Sequence, residues 1–128
     1  LIKLKIDQKN ANTLNALGYS LAIHTKRYDE AYKLIYEAYL YDPGSAAILD
    51  SLAWVEYKRG NYINALNFAE ASYIRDKDKE IVLHYCEILI KNKSYNKLRK
   101  IIQIELERNP DEKIFIEKLN IMNNAIPL

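Results

Sequence analysis

At 128 residues the chain is of single-domain size, and almost half of it is hydrophobic while glycine and proline number three each, a balance that favours helices over sheet. Lysine and arginine exceed aspartate and glutamate by only two, so net charge gives no reason to expect a nucleic-acid partner. The single cysteine, Cys86, rules out an intramolecular disulfide, and no apolar run approaches the ~18 residues of a membrane span.

In chain order, residues 1–10 read as the end of a preceding unit, because later units close on a similar mixture of apolar and charged residues. The chain is therefore expected to be a piece of a longer array; if that apolar side is instead a natural edge, it would invite self-association. The first full unit spans 11–45. Its first helix is expected over about 11–24 with Asn10 or Asn12 as cap. Its second helix covers Tyr28–Tyr41, where Asp29 and Glu30 sit favourably against the helix dipole, and Asp42-Pro43-Gly44-Ser45 stops it. Ser45 is then placed to cap the next helix.

The second unit spans 46–78. Ile48, Leu52 and Val55 follow the i, i+4, i+7 spacing of one helix face, and Arg59-Gly60-Asn61 reverses the chain. A second helix over 62–74 is apolar at Leu66, Phe68, Ala69, Tyr73 and Ile74. The third unit, 79–110, pairs helices over about 79–92 and 95–108. Residues 111–123 carry Ile114, Phe115, Leu119 and Met122 and suit a capping helix, since a solenoid needs a terminal element to cover its last apolar surface.

The units are variants of one pattern. A small residue inside an apolar run stands at Gly18, Ala53 and Cys86, recurring after 35 and then 33 residues. Tyrosine follows at Tyr28, Tyr62 and Tyr95. A second site at Ala31, Ala65 and Leu98 recurs after 34 and 33 residues. Turns follow at Asp42-Pro43, Asp76-Lys77 and Asn109-Pro110. A period near ~34 marks a helical-hairpin solenoid. Small side chains at a helix crossing permit close approach. Gly18 inside a helix costs roughly 1 kcal/mol relative to alanine, so close approach is expected to matter there.

These marks resemble the tetratricopeptide repeat (TPR) family. The match is carried by Leu17-Gly18, Tyr28-Asp29-Glu30-Ala31, Ala38 and Pro43 in the first unit, by Leu52-Ala53, Gly60, Tyr62 and Ala65 in the second, and by Tyr95 and Pro110 in the third. It covers residues 11–112 and departs at Lys77, where proline is usual, and at Leu98, where alanine is usual. The resemblance implies an all-α, right-handed superhelical solenoid of antiparallel helix hairpins: three TPR-like repeats plus the capping helix. It also implies a non-catalytic scaffold or adaptor that binds a peptide or protein segment on its concave face. By family position that face carries Asn12, Asn15 and Tyr19; Asp50, Trp54, Tyr57 and Lys58; and Glu87 and Lys91. Aromatic anchors there would supply contact area while polar groups fix register.

TPR proteins that clamp a terminal carboxylate use lysine and asparagine at set groove positions, and the matching slots here include Asn15, Tyr19 and Asp50, so such a clamp is not expected. The run ILDSLAWVEYKRGNY after LGYSLA is similar to bacterial TPR proteins, including envelope lipoproteins that present substrates to proteases. Both an envelope and a cytoplasmic setting stay open. Two other roles also stay open: an assembly module that self-associates through its end helices, and an accessory domain of a larger enzyme.

Candidate chemistry is sparse, and neither a cofactor nor a metal is expected. Glu80, His84 and Glu87 share a helix face, but without a second histidine or a cysteine they form a weak zinc pattern. Cys86 reads as a buried small hydrophobe rather than a nucleophile. There is no glycine-rich phosphate loop and no paired carboxylate set in an apolar pocket, hence no catalytic constellation. The basic run Lys91, Lys93, Lys97, Arg99 and Lys100 reads as a solvated turn. Trp54 and Tyr57 either face the groove or pack on the neighbouring helix.

Overall fold

The computed structural model describes the backbone of residues 2–127 and the side chains of residues 10–127. Among the described residues there are seven helices and no strand: α1 (Ile2–His24), α2 (Tyr28–Tyr41), α3 (Ala46–Lys58), α4 (Tyr62–Arg75), α5 (Lys79–Lys91), α6 (Tyr95–Arg108) and α7 (Lys113–Asn124). Short turns join α1 to α2, α3 to α4 and α5 to α6 into antiparallel hairpins, of which the first two pack closely and α5 and α6 lie further apart. In addition the backbones of α1 and α3, α3 and α5, and α5 and α7 approach closely, whereas among the described residues α2, α4 and α6 lie further apart and meet only through side chains, as where Tyr39 meets Phe68 and Tyr73 meets Glu105. The odd-numbered helices therefore form the tighter, inner row of an all-α helical-repeat solenoid.

One boundary differs from expectation. No turn separates residues 2–10 from the first unit, because α1 runs unbroken from Ile2. That stretch has no glycine or proline, and its lysines and glutamine are good helix formers. A helix already under way has no use for a cap at Asn10 or Asn12. Whether residues 1–10 pack as the end of an earlier unit concerns side chains outside the described set.

Elsewhere local chemistry sets the ends. The Ser45 hydroxyl accepts the Ile48 N–H at 3.2 Å at the start of α3, and the Asp78 carboxylate accepts the Glu80 N–H at 3.1 Å at the start of α5. Both satisfy amides that the helix leaves unpaired. Between α3 and α4 the chain turns through Gly60 at φ 84°; the equivalent place between α5 and α6 is Lys93 at φ 58°, a left-handed conformation that costs a residue with a β-carbon about 1 kcal/mol.

The small positions lie at the crossings. Gly18, Ala53 and Cys86 are buried, as are Ala31, Ala65 and Leu98. A β-carbon on Gly18 would lie 2.5 Å from Ile35 Cγ1 and 2.9 Å from the Ala31 carbonyl oxygen. Because one obstacle is backbone, α1 and α2 would have to separate. Overpacking costs about 1–3 kcal/mol, against about 1 kcal/mol gained in helix propensity. Gly18→Ala is therefore expected to lower the thermal midpoint, whereas an increase would show that α1 and α2 do not need this approach.

Two hydrophobic clusters fill the interior. One joins α1, α2 and α3 through Ala22, Ile35, Ile48, Leu52 and Val55. The other, larger cluster joins α3 to α7 through residues such as Tyr73, Tyr85, Ile88, Ile102 and Leu119, and Phe68 packs against both. The fit between units shows in one repeated position. Leu52 and Tyr85 are 0% and 1% exposed, each covered by the hairpin before it, while Leu17 is 55% exposed. Buried Glu56 also ties units together: it receives Arg59 Nη1 at 2.6 Å, and Arg59 reaches Asp29 at 3.1 Å and lies 4.4 Å from the Tyr32 ring centre.

Candidate functional site

The candidate site lies on the inner row. Burial of Ile48, Leu52 and Val55 turns the other side of α3, with Asp50, Trp54 and Lys58, toward α1 and α5. In α5, Tyr85, Cys86, Ile88 and Leu89 point into the core, which leaves Glu80, His84 and Glu87 beside the α3 residues.

The side chains that meet there come from all three hairpins. Asp50 and His84 are joined through Nδ1 at 2.9 and 3.0 Å to the two carboxylate oxygens. The His84 ring stacks on Trp54 with centroids 4.1 Å apart and planes 18° apart. Trp54 also stacks on Tyr57 at 5.0 Å, and Lys58 Nζ lies 5.1 Å from the indole centre, within cation–π range. From α1, the Tyr19 hydroxyl donates to Glu80 Oε1 at 2.6 Å, and that oxygen is 3.9 Å from His84 Nε2. A side chain of the first unit thus reaches the third across the second.

Burial raises the Asp50 carboxyl above its usual range, and the His84 contact partly opposes that rise. Tyr19 is also raised, first by burial and then by its bond to the Glu80 carboxylate. For Asp50 the sign follows from linkage. A carboxyl raised in the folded state contributes stability that is fully present below its unfolded pKa and is lost as pH rises through the folded value. Relative to Asp50→Asn, the natural chain should therefore gain stability as pH falls from neutral. Melting midpoints of both proteins across mildly acidic pH check this, and a difference moving the other way would show that the His84 pairing outweighs burial.

Besides a hollow of about 380 Å³ against Tyr19, Trp54, Lys58 and His84, two others flank this cluster. A cleft of about 270 Å³ lies between α1, α3 and α5 and is lined by Asn15, Tyr19, Asp50, Asp76, Asp78 and Glu80. In it the Asn15 Oδ1 atom is buried without a hydrogen-bond partner. A larger groove of about 820 Å³ lies between α5 and α7, with Leu83, Ile90, Ile121 and Met122 as its apolar lining and Trp54, His84, Glu80 and Glu87 along it. The cleft and the groove share Glu80.

Of the residues expected on the concave face, Asn15, Tyr19 and Asp50 come together in the cleft, and Trp54, Tyr57 and Lys58 form the stack. Glu87 lines the groove. Lys91 sits apart, 5.1 Å from the Tyr62 ring centre. Asn12 is exposed and lines neither the cleft nor the groove. His84, Leu83, Ile90, Ile121 and Met122 were not among the expected residues. A signal for two of them existed, because Leu83 and Ile90 stand one repeat after Asp50 and Tyr57.

Other features resolve as structure. Cys86 is buried and its thiol is pushed up to about 12, chiefly by burial. Partners disperse the basic run: Lys97 pairs with Glu70 at 3.1 Å and Arg99 donates to the Pro127 carbonyl at 3.2 Å. Among the described residues, no group of three histidine, cysteine, aspartate or glutamate side chains is arranged to hold a metal, and no helix is long and apolar enough to cross a membrane.

No protein-family model matches the chain. A stretch of 78 residues is 42% identical to a TPR repeat-containing protein of Pseudomonas aeruginosa. The match covers 61% of this chain and 13% of the relative, so it spans a small part of that protein's length. Together with the hairpins and their inner row of odd helices, the likeness decides the architecture. The helical array is TPR-like. In the TPR-like array, Trp54, Tyr57 and Lys58 belong to one hairpin, and Tyr19 and His84 meet them from the hairpins on either side.

Proposed function

We propose that this TPR-like array is a non-catalytic scaffold or adaptor that holds a protein or peptide segment on the row formed by α1, α3, α5 and α7. One observation carries the reading. Trp54 belongs to neither hydrophobic cluster and instead stands part-buried, stacked on His84 and on Tyr57, with a lysine beside it. A rigid aromatic in a partly dry, polar-rimmed setting is the kind of side chain that dominates protein interfaces. The proposed contact set is Asn15, Tyr19, Asp50, Trp54, Tyr57, Lys58 and Glu87, with Asn12 and Lys91 at its margins. The resemblance of the array to a protein named for its TPR repeats supports the class of function.

Peptides selected from a phage-displayed random library against the natural chain provide the test. Trp54→Ala should weaken their binding by about tenfold or more while leaving the melting midpoint nearly unchanged. A stability loss of about 3–5 kcal/mol would instead make Trp54 a core residue and remove the anchor.

A further inference from the structure

Resting on the concave-face reading, we propose that the segment held there carries an aliphatic side chain close to a lysine or arginine, the aliphatic group seated in the α5–α7 groove and the cation in the α1–α3–α5 cleft. The groove supplies the first half. Its lining is mainly apolar, through Leu83, Ile90, Ile121 and Met122, and Ile121 is 68% exposed. An aliphatic group entering between α5 and α7 removes that surface from water.

Charge supplies the second half. Asp50, Asp76, Asp78 and Glu80 line the cleft, and no lysine or arginine does. The nearest cations along the chain are turned elsewhere: Lys77 donates to the Tyr73 carbonyl at 2.6 Å and lies 4.2 Å from the Tyr73 ring centre, while Lys79 pairs with Glu112 at 2.9 Å. Asp50 faces the His84 imidazole, Asp76 and Asp78 accept backbone N–H groups and Glu80 accepts the Tyr19 hydroxyl. Among the described residues, however, no lysine or arginine balances the charge of these carboxylates, and the cleft keeps a negative field. Carboxylates close together favour an incoming cation, and the unpartnered Asn15 oxygen adds an acceptor for its N–H groups. Glu80 lines both hollows, so one short segment can occupy both. In the groove the cation Lys118 lies on α7, which directs a basic residue of the partner away from that wall and toward the cleft.

The same phage-displayed random peptides test the chemistry. Enriched sequences should place lysine or arginine near an aliphatic residue, bind less tightly as salt is raised, and lose about tenfold in affinity on Glu80→Lys and on Met122→Glu. If Glu80→Lys fails to fold, Glu80→Gln should still weaken the basic peptides severalfold. Enrichment of acidic peptides overturns the inference. So do Trp54-dependent peptides that lack a basic residue or ignore the Glu80 variants, although the concave-face reading survives that result. Peptides that bind Trp54→Ala as well as the natural chain, or no enrichment at all, overturn both.

Discussion

Leu52→Ala is expected to cost about 2–5 kcal/mol, while Leu17→Ala, the same repeat position one unit earlier, should stay within about 0.5 kcal/mol. Leu52 is fully buried in the cluster where α3 meets the first hairpin, among Ala22, Ile35 and Ile48. Truncation there opens a cavity between two units that can close only by sliding one hairpin on the other. Leu17 offers its side chain mostly to water, so its removal opens nothing. The pair isolates what contact between repeats contributes, because residue type and repeat position are held constant. Urea unfolding of both variants checks it, with the slope compared to confirm that only stability has changed. Equal losses would mean that interfaces between hairpins do not carry the stability of this array.

Tyr73→Phe should lose about 1.5–3 kcal/mol, although it removes one oxygen and no apolar surface. Its hydroxyl donates at 2.7 Å to Glu105 Oε2, and Glu105 is 0% exposed. The remaining partners of that carboxylate are weaker: Asn109 Nδ2 at 3.4 Å from Oε1 and Arg108 Nη1 at 3.7 Å from Oε2. Burying a carboxylate costs free energy unless hydrogen bonds replace water, so taking away the nearest donor leaves much of that cost in place. Tyr73→Phe combined with Glu105→Leu should then recover much of the loss. If the single change is neutral, solvent reaches Glu105 in solution and the bond contributes little.

The hairpins were legible because their packing depends on small residues at fixed intervals, and Gly18, Ala53, Ala31 and Ala65 show those intervals directly. Leu98, which departs from the pattern, is still buried at its crossing, since size at one crossing can be met by the residues opposite. The inner face was legible by position for Asn15, Tyr19, Asp50 and Trp54. His84 was not. Within its own helix it has only Glu80 and Glu87 for company, and its partners Asp50 and Trp54 lie about one repeat away in sequence, so its role depends on how two hairpins stack. Glu56 and Glu105 were hidden for a related reason: a charged residue in a helix reads as solvated until the donors that surround it are placed. In α7, a helix expected only to cover the array, Ile121 and Met122 turned out to form a wall of the groove.

The uncovered face of the first hairpin gives the array a direction. Leu17 is more than half exposed there, whereas Leu52 and Tyr85 at the same repeat position are buried, and α3 and α5 are held on both sides. In a linear stack each hairpin is stabilised by its neighbours, so within these 128 residues a hairpin covered on one side opens at lower free energy than one covered on both. Unfolding of these 128 residues taken alone should start at α1 and α2 and travel toward α5, and a further hairpin stacked on Leu17 would remove that weak point. Without one, the amides of α1 and α2 would exchange with solvent first, while the stack around Trp54 is still closed.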